Sequence, residues 1–305
     1  NGLAFTNLTA GALGGRFEGS GGLAAFRELS INGTARGFAI DRLAAAAGVR
    51  EPPWTGSISG PIRIAGDLGG GLKAWRVQAA LTVAPGEGPN PLEGVVNARV
   101  ERGSVELEKS YLATRNSRVE VTGAPRGNLE VSLNSTAFRD IEAAIEMASG
   151  RAEPLPVALR PGGSVAFHGV VTGALDRASV HGRAEAARIA VEGYEIDSVA
   201  GMVEASESGV SARQITVSKG AMRATGWVQV GLDNWKPGEQ SPVAGEVTVR
   251  APDAAVALAE LKRAEPVSGG PVVVTATLSG TVRKPEAAGR VRAPRLVAWK
   301  QPLTS

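Results

Sequence analysis

The sequence predicts a mainly β protein, and three observations carry that prediction. Apolar residues alternate with polar ones at period two along most of the chain. The rows are short and β-branched, and Gly, Pro, Asn or Ser bounds each of them. Glycine is abundant, 40 of 305 residues, nearly twice the roughly 7% of average proteins, yet it lacks the Gly-X-Y period of collagen. Period-two alternation between turn formers is the signature of strands half-buried on one side. Antiparallel sheet with one dry and one wet face follows.

Taken in order, Gly2-Leu3-Ala4-Phe5 already reads as the middle of a strand, which suggests a fragment of a longer chain. LAFTNLTAGALGGRFEGSG (3–21), VELEKSYLATRNSRVEVTG (105–123) and VSARQITVSKGAMRATG (210–226) each read as strand, turn, strand, glycine. Clear rows are Val77-Ala79-Leu81-Val83, Val105-Leu107, Val119-Val121 and Leu129-Val131-Leu133. Further rows are Ile189-Val191, Ile215-Val217, Val228-Val230, Val247-Val249 and Val272-Val274-Ala276-Leu278. Three segments are expected to be short helices: Ile40 to Ala47 before Gly48, Phe138 to Ser149 before Gly150, and Pro252 to Arg263. Proline near the start, basic residues near the end and glycine after it are helix start and stop chemistry. Helices of two to three turns persist only if docked. A proline-containing link follows each one (Glu51-Pro52-Pro53, Glu153-Pro154-Leu155-Pro156, Glu265-Pro266), and then a glycine-led strand. This grammar divides the chain into a partial β repeat at 1–53, repeats at 54–156 and 157–268, and a partial repeat at 269–305. Such a period implies stacked supersecondary units that share one core.

Composition removes several function classes. Zero cysteines exclude disulfide frameworks and thiolate metal sites. With 33 basic and 30 acidic residues the net charge is only +3, and no Lys/Arg block of nucleic-acid type appears. The densest basic stretch, Arg283-Lys284 through Arg290, Arg292 and Arg295, is broken by Pro285, Glu286 and Pro294 and reads as a solvated strand edge. No run approaches the ~20 apolar residues of a membrane span. His168 and His181 stand beside glycines in strand-like sequence, without a carboxylate or third ligand at a recognisable spacing. Ile58 occupies the centre of GSISG, where a nucleophile elbow needs serine. Gly19-Ser20-Gly21-Gly22-Leu23-Ala24 satisfies the loose dinucleotide pattern, but no βαβ unit surrounds it. Asn7, Asn32 and Asn134 open formal glycosylation triplets and read as turn asparagines. Glu106 and Glu108 read as solubilising carboxylates on one strand face, and Trp235-Lys236-Pro237-Gly238 as a loop tip. No catalytic residue, metal site or cofactor is expected, so the chain is not read as an enzyme.

The repeated grammar resembles the AsmA-like superfamily of diderm bacteria, most of all its TamB branch. Its closest stretches are SGTVRKPEAAGRVRAPRL (279–296) and GALDRASVHGRAEAARIAVEGYEIDSVAGMVEAS (173–206). Both show a glycine turn, a short linker, a Gly-Xaa-Val/Ala strand and a further turn. The resemblance implies an elongated, curled antiparallel/mixed β-sheet groove (β-taco-like repeats) with a few short helices. It implies a periplasmic protein anchored in the inner membrane by an N-terminal helix that this chain lacks. It implies, too, that the groove conducts phospholipid acyl chains between the two membranes, with a TamA-like outer-membrane barrel as partner of the full-length protein. On that reading the candidate groove residues are Val77, Leu81, Val83, Val105, Leu107, Val119, Val121, Val131, Ile189, Val191, Ile215, Val217, Val228, Val230, Val247, Val249, Val272 and Val274.

Physics points the same way without naming a lipid. A sheet with one apolar face must cover it, fold over on itself or bind something greasy. Few aromatics (4%) and many Val, Ala, Leu and Ile make a smooth aliphatic wall. The alternative is a structural or interaction module, an adhesin-like stalk or an assembly scaffold, with a closed dry core and strand edges that recruit partners.

Overall fold

A computed structural model describes residues 2–46, 48, 52–142, 157–173, 177–191, 193–260, 267–293, 295–298 and 301–303. The chain forms two units, one of residues 1–154 and 170–175, the other of residues 155–169 and 176–305. Both are antiparallel β meanders, so the expected mainly β, antiparallel fold is the one observed. The only parallel contact among the described residues is an isolated bridge between Thr55 and Pro91.

In the first unit the strands are β1 (Gly2–Ala12), β2 (Gly15–Ala24), β3 (Glu28–Ala39), β4 (Gly56–Asp67), β5 (Arg76–Pro85), β6 (Glu93–Glu101), β7 (Ser104–Ala113), β8 (Ser117–Gly123) and β9 (Asn128–Ser135). Each pairs with the next in sequence. The tight hairpins are built as the glycine pattern demands. Leu13-Gly14 (φ 50 and 79) and Arg102-Gly103 (φ 52 and 79) are two-residue turns with both residues left-handed. That geometry matches the twist of the flanking strands.

In the second unit, β10 (Val157–Thr172, of which 157–169 belong here) lies beside β11 (Ser179–Val191). Next come β12 (Tyr194–Ser206), β13 (Gly209–Lys219), β14 (Met222–Gly231) and β15 (Val243–Ala251). From β11 to β15 they pair in order. Strand β16 (Val267–Gly269) leaves this sheet and pairs with β19 (Leu296–Ala298), which pairs with β20 (Gln301–Leu303). The main meander resumes with β17 (Val272–Gly280) against β15 and β18 (Pro285–Arg292) against β17.

Helix α1 (Ile40–Ala46) joins β3 to its neighbour β4 and packs on both. Gly48, at φ 84, donates its N–H to the Ala45 carbonyl at 3.0 Å and closes the helix as expected. Helix α2 is described over residues 138–142; the rest of its expected span, with Gly150 and the proline link after it, lies outside the described residues. Helix α3 (Ala254–Glu260) starts later than expected. Asp253 caps it: Asp253 Oδ1 accepts the Ala255 N–H at 2.7 Å. Residues 261–263, the expected basic end, lie outside the described residues.

Among the described residues the buried apolar ones are Ala35, Val83, Ala113, Ile189, Met222, Ala251 and Ala254, and none with a large side chain is completely enclosed. Several border helices: Ala251 and Ala254 flank the entry to α3, and Ala35 lies just upstream of α1. Accessible surface totals 19293 Å² for a 31.2 kDa chain. Two separate compact globules of half that mass would together expose only about 14,500 Å². Most apolar residues of the described strands are half-buried rather than fully enclosed.

Candidate functional site: the apolar sheet face

Strand register shows which side chains share a face. In the second unit, Val199 of β12 stands opposite Val217, which stands opposite Ala224, and the row continues through Val249, Val274 and Val291 of β18. One step along the strands, Ile215, Gly226, Val247, Ala276 and Gly289 form the next row. Val203, Ala212, Val228, Gly245, Leu278 and Ala287 make a third. Between these rows lies an apolar hollow of about 360 Å³, bounded by Ile215, Val217, Val228, Val247 and Leu278 among others. Its wall is aliphatic because Ile215 and Val217 of β13, Val228 of β14, Val247 of β15 and Leu278 of β17 all reach this side. Val247 is 39% and Val291 65% exposed, so the wall is open to what lies above it.

The first unit repeats the arrangement. Phe5, Gly21, Ile31, Ile64, Val77, Val100 and Val105 are consecutive partners from β1 to β7. Phe38, Ile58, Val83, Gly94, Leu112, Val119 and Leu133 are consecutive partners from β3 to β9. Leu107 joins Ala79 and Ala98, and Val121 stands opposite Val131. Leu81 occupies the same face between Ala79 and Val83.

All eight predicted candidates of the first unit thus fall on one face. In the second unit Ile215, Val217, Val228, Val230, Val247, Val249, Val272 and Val274 do so as well. Ile189 and Val191 do not join these rows. They pair with Ile196 and Tyr194, beyond Arg188 in left-handed conformation (φ 51), and Ile189 is buried. The sequence rows also missed members. Ala212 and Ile215 share the apolar face although three residues apart, because Gln214 (φ 51) is an extra residue in β13. Asn7 (φ 62) in β1, Gly37 (φ 68) in β3 and Lys109 (φ 42) in β7 sit in the same kind of register shift. Each is a β-bulge, which bends the strand and re-aims its side chains. Strict alternation cannot find Leu8 or Phe38 across such a bulge.

The opposite face is polar. Arg63, Gln78, Arg99 and Glu106 form one row of the first unit. Glu108 follows Glu106 as an exposed carboxylate and lies 3.6 Å from Arg99. Arg118 bonds Glu120 at 2.7 Å and its guanidinium lies 3.9 Å from the Tyr111 ring centroid. In the second unit Thr216, Thr225, Thr248 and Thr275 line up across four strands. Exposed pairs of this kind contribute little to stability and chiefly keep the face wet.

One sequence reading needs correction: Asn7, Asn32 and Asn134 lie within β1, β3 and β9 and not in turns. His181 Nδ1 lies 3.3 Å from Glu204 across the β11–β12 ladder, a neighbour that only pairing creates. The glycine-rich 19–24 segment is strand β2, followed by a hairpin and no helix, so the geometry of a dinucleotide loop is absent there. Among the described residues no three His, Asp or Glu side chains gather as a metal site, and no helix is long and apolar enough to cross a membrane. Trp235 does stand at the β14–β15 loop, 37% exposed. No protein family, characterised protein or solved structure matches the chain.

Proposed function

We propose that this chain is a segment of a periplasmic protein of the AsmA-like, TamB type. Its apolar sheet face binds phospholipid acyl chains and passes them between the inner and outer membranes in support of outer-membrane biogenesis. It does so by passive binding, without catalysis. The observation that carries this reading is the uncovered row from Val199 to Val291, continuous over six strands and flanked by the apolar hollow. Monomeric soluble proteins rarely expose contiguous apolar patches beyond a few hundred Å² unless something docks there. Burial of apolar surface is non-directional, at roughly 25 cal/mol per Å², so a wall of Val, Ala, Ile and Leu accepts many chains and selects none. Movement along such a wall breaks no hydrogen bond.

Purification under conditions that retain native lipid, followed by mass spectrometry, tests the reading. Phospholipid is expected to co-purify. Lipid-free protein that also ignores fluorescent fatty acids would sink it.

A further inference from the structure

The polar face of the second unit carries a feature that linear reading hides. Arg223 of β14 stands directly opposite Arg250 of β15. Arg250 is opposite Val273, which is opposite Arg292 of β18, and Arg290 follows one step along, opposite Thr275. At strand spacings of about 4.8 Å, the row from Arg223 to Arg292 spans about 14 Å. Arg250, Arg290 and Arg292 border a hollow of about 560 Å³ that Thr275 and Thr277 also line.

Elsewhere on the polar faces arginines recur beside carboxylates: Arg76 with Glu101, Arg160 with Glu195, Arg183 with Glu185, Arg213 with Glu204. These four have none among the described residues. Arg223 donates only to the carbonyls of Gly220 and Met222. Glu246, on the same face of β15, and Glu260, beside Gly220, pair with none of them. Like charges directly opposite in a ladder are destabilising, so the fold carries a cost here that a polyanion would relieve. Guanidinium groups match phosphate in charge and in fork geometry.

We propose that the Arg223, Arg250, Arg290 and Arg292 patch docks on the phosphate-bearing surface of an anionic lipid bilayer. A single free phosphate is too small to engage guanidinium groups spread over about 14 Å. Trp227, 41% exposed on the same face of β14, is the residue type found at membrane–water interfaces. The proposal does not depend on what the apolar face binds.

Co-sedimentation of the 305-residue chain with vesicles tests it. Binding is expected to phosphatidylcholine vesicles containing phosphatidylglycerol, to weaken as salt rises, and to be absent with phosphatidylcholine alone. Each arginine near an anionic surface is worth about fivefold in affinity, so the pair Arg250→Gln and Arg292→Gln should lose about 25-fold. The pair Arg250→Lys and Arg292→Lys, which keeps the charge, should retain most of the binding. Circular dichroism confirms that each variant is folded. Failure to bind the anionic vesicles, equal binding to neutral ones, or undiminished binding by the folded glutamine pair overturns the proposal. So does full displacement by millimolar inorganic phosphate, which would make free phosphate the ligand, or tighter binding to a single-stranded oligonucleotide.

Discussion

Gly169 and Gly182 face each other across β10 and β11, and the Phe167 ring lies over both. A Cβ at position 182 would meet the His168 carbonyl oxygen at 2.5 Å and the Phe167 ring at 2.8 Å. The close approach of two backbones beneath an aromatic ring requires glycine there. Gly182→Val should therefore destabilise the unit by about 1–3 kcal/mol, the usual cost of overpacking, as read from a shifted denaturant midpoint. An unchanged midpoint would show that the ring swings away freely. Asp67 makes a different prediction. The Arg27 side chain donates to it at 2.6 Å and the Gly69 N–H at 2.7 Å, and together they hold its carboxyl below the ordinary aspartate range. A carboxylate favoured in the folded chain adds stability above its unfolded pKa, and that contribution disappears as pH falls through the lowered folded value. An NMR titration should find Asp67 below ordinary aspartates and find it raised again in Arg27→Ala. A normal value in the parent protein would remove the interaction from the account.

Strands were the most legible elements, because half-burial forces period two and every row of alternating valines lies in one. Bulges were not legible. Asn7, Lys109 and Gln214 adopt left-handed conformations without being glycine, and nothing local announces the extra residue. Ile189 and Val191 keep an intact alternation but pair with Ile196 and Tyr194, outside the apolar rows. Cross-strand groupings such as His181 with Glu204, or Arg250 with Arg292, arise from register and have no linear signature. Among the helices, α3 begins at Ala254, two residues after Pro252, and Asp253 caps it. Asp253→Ala should cost about 1 kcal/mol, measurable as a lower thermal midpoint, and no loss would demote the cap to an incidental contact. On β13, Val217→Arg places a cation in the apolar row opposite Val199 and Ala224. On an open wall the arginine reaches water, so the unit should stay folded while lipid loading falls. If the substitution unfolds the protein, the face is a closed core, since an unpaired buried charge is severely destabilising.

In the fold the glycines form tight hairpins such as Leu13-Gly14 and Arg102-Gly103, the scarcity of aromatics leaves an aliphatic wall, and the balanced charge makes a wet opposite face. Val247 and Val291 stand exposed on the apolar face of the second unit, and the proposed function assigns that face to acyl chains. The reading as an acyl-chain conduit turns on which face meets lipid. The most direct measurement incorporates a photoreactive residue at Val247, on the apolar face, and in a second protein at Thr248, its neighbour on the polar face. After illumination in cells, mass spectrometry should find phospholipid adducts at position 247 and at most headgroup-level traces at 248. Equal labelling at both positions, or protein adducts alone at 247, would contradict the account.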